Sequence, residues 1–277
     1  MIYIFLFVIA VILDRAQLLI GKDSYSSKYN GYGAITDVNE RNAAAPMAYR
    51  VLVPWVFVLL RKIPIIREFR PVGHVYEPLK LISLFAILAI LNYFFGTVAA
   101  LIFAAIITST FFFDYWDWAF EAIGIVGAMS GNPYLFISGT ILWALSKETA
   151  PLAPLIFFAV TGDIYISIVG AILCAVSMLG VRMYVGKREL YCPRFMWNVN
   201  WHDIMVSLKN SPLFLSEIVM AMIITFLTIF CFIVNPQVYG LYAIALLVAG
   251  WTMARAAESR VFAGCLIFVA VTLSKFI

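Results

Sequence analysis

Asn30–Pro54 reads NGYGAITDVNERNAAAPMAYRVLVP and is the longest polar interval in an otherwise apolar chain. It carries Asp37, Glu40, Arg41 and Arg50, and it runs into an apolar segment, Tyr49–Ile63. That segment holds about a dozen apolar residues, whereas a bilayer crossing takes about 20. It predicts a helix that lies in the membrane interface or re-enters it, with Arg50 at one end and Arg61 and Lys62 at the other. Pro54 falls early, where a first helical turn tolerates it.

Outside this interval the chain is nearly devoid of polar stretches. Of its 277 residues, 64% are hydrophobic and 12% charged, against about 25% charged in soluble domains. So little polar surface cannot coat a globule, and the bilayer is the expected solvent. Long apolar runs between turns predict helices rather than the alternating strands of a barrel. The runs at 2–20, 79–95, 97–113, 119–129, 133–146, 151–160, 163–185, 213–234, 237–254 and 260–277 predict an all-α, polytopic integral membrane helical bundle. It would form a single transmembrane domain over 1–277, with about ten crossings and the one interfacial helix. Three runs, from 119 to 160, are short, and the last carries Pro151 and Pro154. Such pieces occur at membrane depth where protein buries them or where they line a cavity.

Two polar loops, near 21–78 and 186–212, interrupt these runs. If each run crosses once, both loops fall on one face, together with Asp114, Asp117, Lys147, Glu148, Arg255 and Arg260. The opposite face has only tight turns at Gly96, Asn132-Pro133, Asp163 and Asn235-Pro236, plus the termini. One-sided chemistry of this kind suits an enzyme working at a membrane surface.

The net charge of +4 comes from loop ends, where Lys and Arg set topology, and implies no nucleic-acid partner. Cys174, Cys192, Cys231 and Cys265 form no CxxC, which argues against a disulfide framework or a zinc site. His74 and His202 are too few for a metal cluster, and no basic segment precedes the first apolar run, so no cleavable signal is expected. There is no P-loop, GxSxG or HExxH. Gly31-Tyr32-Gly33 lacks the third glycine of a dinucleotide fingerprint. Gly127–Gly131 fits a small-residue helix-packing motif.

Each charged group has a bland and a chemical reading. Asp37 and Glu40, beside Arg41, are solvated loop charges, or a general base or substrate ligand at the membrane surface. Asp114 and Asp117, among Tyr115, Trp116 and Trp118, are an interfacial helix end or the polar wall of a substrate pocket. Lys147-Glu148 is a local pair at a turn or, because charge near the bilayer is costly, a functional group. Arg50, Arg255 and Arg260 snorkel and set topology, or bind phosphate through their planar forks. Asp14 and Arg15, late in the first helix, form an adjacent interfacial pair or a polar group facing a cavity.

The strings Ala48-Tyr-Arg-Val-Leu-Val-Pro-Trp55, Asp114-Tyr-Trp-Asp117 and Ser146-Lys-Glu-Thr149 together resemble a broad set of bacterial multispanning proteins. Those are similar in turn to the GT-C superfamily of glycosyltransferases, which use polyprenyl-phosphate sugars. The resemblance covers roughly residues 1–160. It implies a bacterial cell-membrane bundle whose first extramembrane loop bears an acidic catalytic residue, matched best by Asp37 and next by Glu40. Lys147-Glu148 and the arginines would hold the lipid phosphate. The first loop acid lies farther from helix one than is usual in that family, and the soluble C-terminal domain of many members is not among these residues. The family pattern places the charged face outside, whereas the positive-inside rule places it in the cytoplasm.

Three functions follow as expectations. The first is transfer of a sugar from a polyprenyl-phosphate carrier to a glycan, lipid or protein, with membrane lipids as the constant partners. Transport or flipping of an amphipathic or anionic substrate is the second. The third is a non-catalytic membrane subunit. No cofactor is specified by any of these residues.

Overall fold

The computed structural model describes residues 1–21, 51–60, 62–64, 73–107, 115–187, 201–202, 204–205, 212–235, 241–253 and 263–277. Regular structure among them is entirely helical. In chain order the helices are α1 (Ile2–Gly21), α2 (Leu52–Leu60), α3 (Gly73–Phe95), α4 (Thr97–Ile107), α5 (Tyr115–Met129) and α6 (Pro133–Ala144). They continue with α7 (Leu152–Thr161), α8 (Ile164–Val185), α9 (Pro212–Val234), α10 (Leu241–Met253) and α11 (Ala263–Leu273). A helix therefore stands within the Tyr49–Ile63 segment, and Pro54 occupies its first turn.

The helix boundaries follow local chemistry. Asn132 caps α6, its side chain accepting from the amides of Tyr134 at 3.0 Å and Leu135 at 3.2 Å, with Pro133 as the first helical residue. Gly162 ends α7 in the left-handed region at φ 72°, where a side chain would be strained. The Asp163 carboxylate then caps α8 by accepting from the Ile166 amide at 3.0 Å. Gly96, at φ 89°, makes the break between α3 and α4.

Among the described residues, one helix, α8, is long and apolar enough to cross a bilayer by length and composition. Shorter apolar helical segments include Thr97–Ile107, Ala119–Met129, Pro133–Ala144 and Leu152–Thr161. Length is the reason these differ from the crossings that the apolar runs predict. The 12 residues of α6 rise only about 18 Å, against a hydrocarbon core of about 30 Å.

The chain packs as two compact units, Met1–Ile90 with Phe113–Tyr191, and Leu91–Phe112 with Cys192–Ile277. In the first, α5 and α6 run antiparallel at close range. A Cβ on Gly127 would stand 2.6 Å from the Leu135 carbonyl oxygen, and one on Gly139 2.9 Å from that of Ile123. Small residues let the backbones meet, as in membrane bundles, where lipid supplies no hydrophobic drive between helices and van der Waals contact must do so. Of the two glycines in the small-residue motif, Gly127 serves packing, while Gly131 closes a turn at φ 69°. Phe136 on α6 stacks on Phe157 of α7 at 4.2 Å between ring centres and presses on Gly170 of α8. Phe7 on α1 meets Phe85 on α3 edge-on at 5.5 Å.

In the second unit, α11 packs against α4, α9 and α10. Its Cys265, Leu266, Phe268, Val269 and Ala270 are wholly buried. Trp251 Nε1 donates to Thr225 Oγ1 at 2.9 Å, tying α10 to α9. Cys174, Cys231 and Cys265 are buried and form no disulfide among the described residues, and Cys192 lies outside those residues.

Only 22% of the apolar window of α8 is buried. Ile168, Ile172, Val176, Leu179 and Met183 recur at three- and four-residue spacing along its exposed side. Ile4, Phe5, Val8 and Ile12 are exposed on α1, and Met222, Phe226, Ile229 and Ile233 on α9. Single exposed apolar residues are ordinary on soluble proteins, but continuous stripes mark a surface meant for another apolar phase.

Candidate functional site

Four charged residues of the first unit, Glu121, Lys147, Glu148 and Arg182, come together beside the C-terminus of α6. Past Ala144 the chain winds back on itself. The Trp143 carbonyl accepts from the amides of Ser146 at 3.0 Å and Lys147 at 2.7 Å, and from Ser146 Oγ at 3.1 Å. Pro151 then precedes α7. The turn sets Lys147 at a helix C-terminus, where a cation is favoured. The Leu52 amide donates to the Leu145 carbonyl at 3.2 Å, joining the start of α2 to the same place. Nearby, Trp55 meets Tyr184 edge-on at 5.8 Å.

From this turn Lys147 Nζ reaches Glu121 Oε2 on α5 at 2.5 Å, with side-chain exposures of 12% and 4%. Thr149 Oγ1 donates to the other carboxylate oxygen, Oε1, at 3.1 Å, and Trp143 Nε1 donates to Thr149 Oγ1 at 3.1 Å. Both oxygens of Glu121 thus accept hydrogen bonds, and the wholly buried Trp143 braces them from behind. Gly124 on α5 makes room for that indole: a Cβ there would lie 2.6 Å from Trp143 Cε3. Burial costs both ions hydration, and their mutual attraction with added hydrogen bonds offsets it.

A small recess opens next to the pair, lined by Ala144, Lys147, Glu148, Met178, Val181 and Arg182. Arg182 comes from the last turn of α8. The recess volume is about 20 Å³, room for about one water molecule. Its lining thus includes two cationic residues and one acidic residue.

The other end of these helices is different. A Cβ on Gly131 would lie 3.3 Å from Thr161 Cγ2, so the turn after α5 adjoins the turn after α7. Hydrogen bonds fill that end: Ser130 and Thr161 hydroxyls donate to the Gly127 and Phe157 carbonyls, and Asn132 and Asp163 accept from the Leu135 and Ile166 amides. The rise from Ile164 to Arg182 is about 27 Å at about 1.5 Å per residue. If the Asp163 turn marks one membrane boundary, the recess lies close to the other.

Among the site residues expected from sequence, the structure brings Lys147 and Glu148 to this recess. Asp117 lies on α5 one turn before Glu121, and only its backbone is described. Asp37, Glu40, Arg41, Arg50, Asp114, Arg255 and Arg260 lie outside the described residues. On α1, Asp14 is 2% exposed while Arg15 is exposed, so the two side chains leave the helix in different directions. Sequence reasoning assigned no role to Glu121, Thr149, Trp143 or Arg182. An acid inside the apolar run 119–129 was the available signal for Glu121. Among the described residues, no three His, Cys, Asp or Glu side chains gather to hold a metal ion.

No protein-family model matches this chain, and no curated protein or solved structure matches it.

Proposed function

We propose that the protein is a multi-pass integral protein of a bacterial cell membrane, a GT-C-like bundle with about ten crossings and α2 in the interface. On this reading it transfers a sugar from a polyprenyl-phosphate carrier to a glycan, lipid or protein. The observation that carries the reading is the meeting of Lys147, Glu148 and Arg182 at one recess beside the apolar, outward-facing stripe of α8. A polyprenyl tail suits the stripe, and the phosphate suits the two cations. The short helices α6 and α7 fall within the first unit, consistent with Pro-broken pieces shielded by protein.

In the reaction, the acceptor hydroxyl oxygen attacks the anomeric carbon and the bond from that carbon to the phosphate oxygen breaks. The lipid phosphate leaves with the bonding pair. A carboxylate takes the hydroxyl proton, and Asp37, Glu40, Asp114 and Asp117 are the candidates. Lys147 and Arg182 stabilise the charge that builds on the leaving phosphate, and Arg41, Arg50, Arg255 and Arg260 are further candidates for holding it. The test is incubation of the purified full chain with synthetic polyprenyl-phosphate sugars and mass spectrometry of the products. Transfer that is lost in Asp37→Asn or Asp114→Asn and in Lys147→Gln supports the reading. Absence of both transfer and hydrolysis with every donor sinks it.

Transport of an anionic amphiphile is a second reading, favoured by the burial of Glu121–Lys147 between helices. Reconstituted vesicles separate the two: a transporter moves the lipid-linked sugar across the bilayer unaltered.

A further inference from the structure

We infer that Glu121 is a positioning residue, holding the Lys147 ammonium at the rim of the recess so that Lys147 and Arg182 together meet one phosphate group. The inference rests on the lipid-phosphate reading above and adds to it the buried acid and the second cation.

The pair is asymmetric. Glu121 is the more deeply buried partner, does not line the recess, and already accepts a hydrogen bond at each oxygen. Lys147 lines the recess. An ammonium carries three donors, and Glu121 takes one of them along a fixed direction. Trp143 and Thr149 fix the carboxylate in turn. A contact group held by a support that is itself held is the arrangement that pre-organises a binding site. Ala144, Met178 and Val181 form the apolar part of the wall, which strengthens charge interactions at the rim by keeping water away. Glu148 on the same rim supplies an acceptor. A glycosyl phosphate matches this set, with its phosphate on the cations and a sugar hydroxyl on the carboxylate.

The experiment titrates the detergent-solubilised full chain with decyl phosphate and, separately, with inorganic phosphate, following ³¹P resonances. Thermal unfolding is recorded for every variant. Wild type is expected to bind decyl phosphate. Glu121→Gln is expected to bind it about tenfold to a hundredfold more weakly, the scale of one charge-assisted hydrogen bond. Glu121→Asp, which keeps the charge but shortens the reach, should also bind more weakly, and it decides the matter if Glu121→Gln does not fold. The exchanged pair Glu121→Lys/Lys147→Glu should fold without regaining binding, because the cation then sits behind the recess. Equal binding of inorganic phosphate assigns the site to the phosphate group alone, and preference for decyl phosphate assigns it to a lipid headgroup. Either result supports the positioning role if the Glu121 variants weaken it. If wild type binds neither probe, the lipid-phosphate reading falls and this inference falls with it. If wild type binds but Glu121→Gln or Glu121→Asp binds equally well, or the exchanged pair regains binding, the inference alone is overturned.

Discussion

Lys147 Nζ lies 2.5 Å from Glu121 Oε2, joining the turn after α6 to α5 across the interior of the first unit. Removing one member leaves the other as a buried charge without its counter-ion. Glu121→Ala and Lys147→Ala are each expected to cost about 3–5 kcal/mol of stability. The double replacement Glu121→Leu/Lys147→Met removes both charges and should cost far less, since apolar substitution of a whole buried pair is often near neutral. Unfolding in detergent with a denaturant series is the measurement. A double variant as unstable as the sum of the singles would show that the two residues act independently.

Thr149 links the pair to the core, accepting from Trp143 Nε1 and donating to Glu121 Oε1. Thr149→Val keeps the shape and removes the hydroxyl, leaving a buried indole N–H without its acceptor. A loss of about 1–3 kcal/mol is expected. Thr149→Ser retains the hydroxyl and should recover most of that loss. Equal destabilisation by Val and Ser would assign the effect to packing by the methyl group instead.

The helices of this part of the chain were legible because their punctuation is chemical. Asn132-Pro133 and Gly162-Asp163 supply caps and a left-handed turn, so the runs 133–146, 151–160 and 163–185 come close to α6, α7 and α8. Where polar residues are helical, apolarity is a poor guide. Thus α3 starts at Gly73 rather than at 79, and α5 starts at Tyr115 rather than at 119. The site was legible only in part. Lys147-Glu148 stood out as charge between apolar runs, whereas the partnership of Lys147 with Glu121 depends on the register of α5 against α6. That register is fixed by close approach at Gly124, Gly127 and Gly139, which no spacing along the chain reveals. Arg182 falls within the apolar run 163–185, and it comes to the same recess as Lys147 only through the packing of α8 beside α6.

Gly170 tests that packing directly. A Cβ on Gly170 would fall 2.2 Å from Phe136 Cζ, and Phe136 is itself wholly buried against Phe157. Gly170→Ala must push the ring or separate α8 from α6, at an expected cost of about 1–3 kcal/mol. Shortening the ring in Gly170→Ala/Phe136→Leu should relieve the clash, so the double variant is expected to be more stable than the sum of the two singles. Additive losses would mean that the cost of Gly170→Ala does not come from the Phe136 ring. Because the recess depends on α8 lying beside α6, Gly170→Ala should also weaken decyl phosphate binding.

The proposed crossing of the bilayer by α8 would set its two ends on opposite sides. Tyr134 and Tyr165, at 83% and 81% exposure, lie at the end that holds the capped turns, whereas Lys187 follows the last turn of α8 beyond Arg182. The 22 residues of α8 rise about 33 Å, enough to cross the hydrocarbon core. An impermeant thiol reagent applied to sealed vesicles should therefore reach Tyr134→Cys and Tyr165→Cys from one side and Lys187→Cys from the other, in a background free of native cysteines. The alternation of apolar runs adds that Ile35→Cys and Ser207→Cys react from the Lys187 side. Bromolipid should quench a fluorophore at Val176→Cys on the exposed stripe and leave one at the buried Val181→Cys bright. Labelling of Tyr165→Cys and Lys187→Cys from the same side would remove α8 as a crossing, and with it the membrane-boundary position of the Lys147–Arg182 recess.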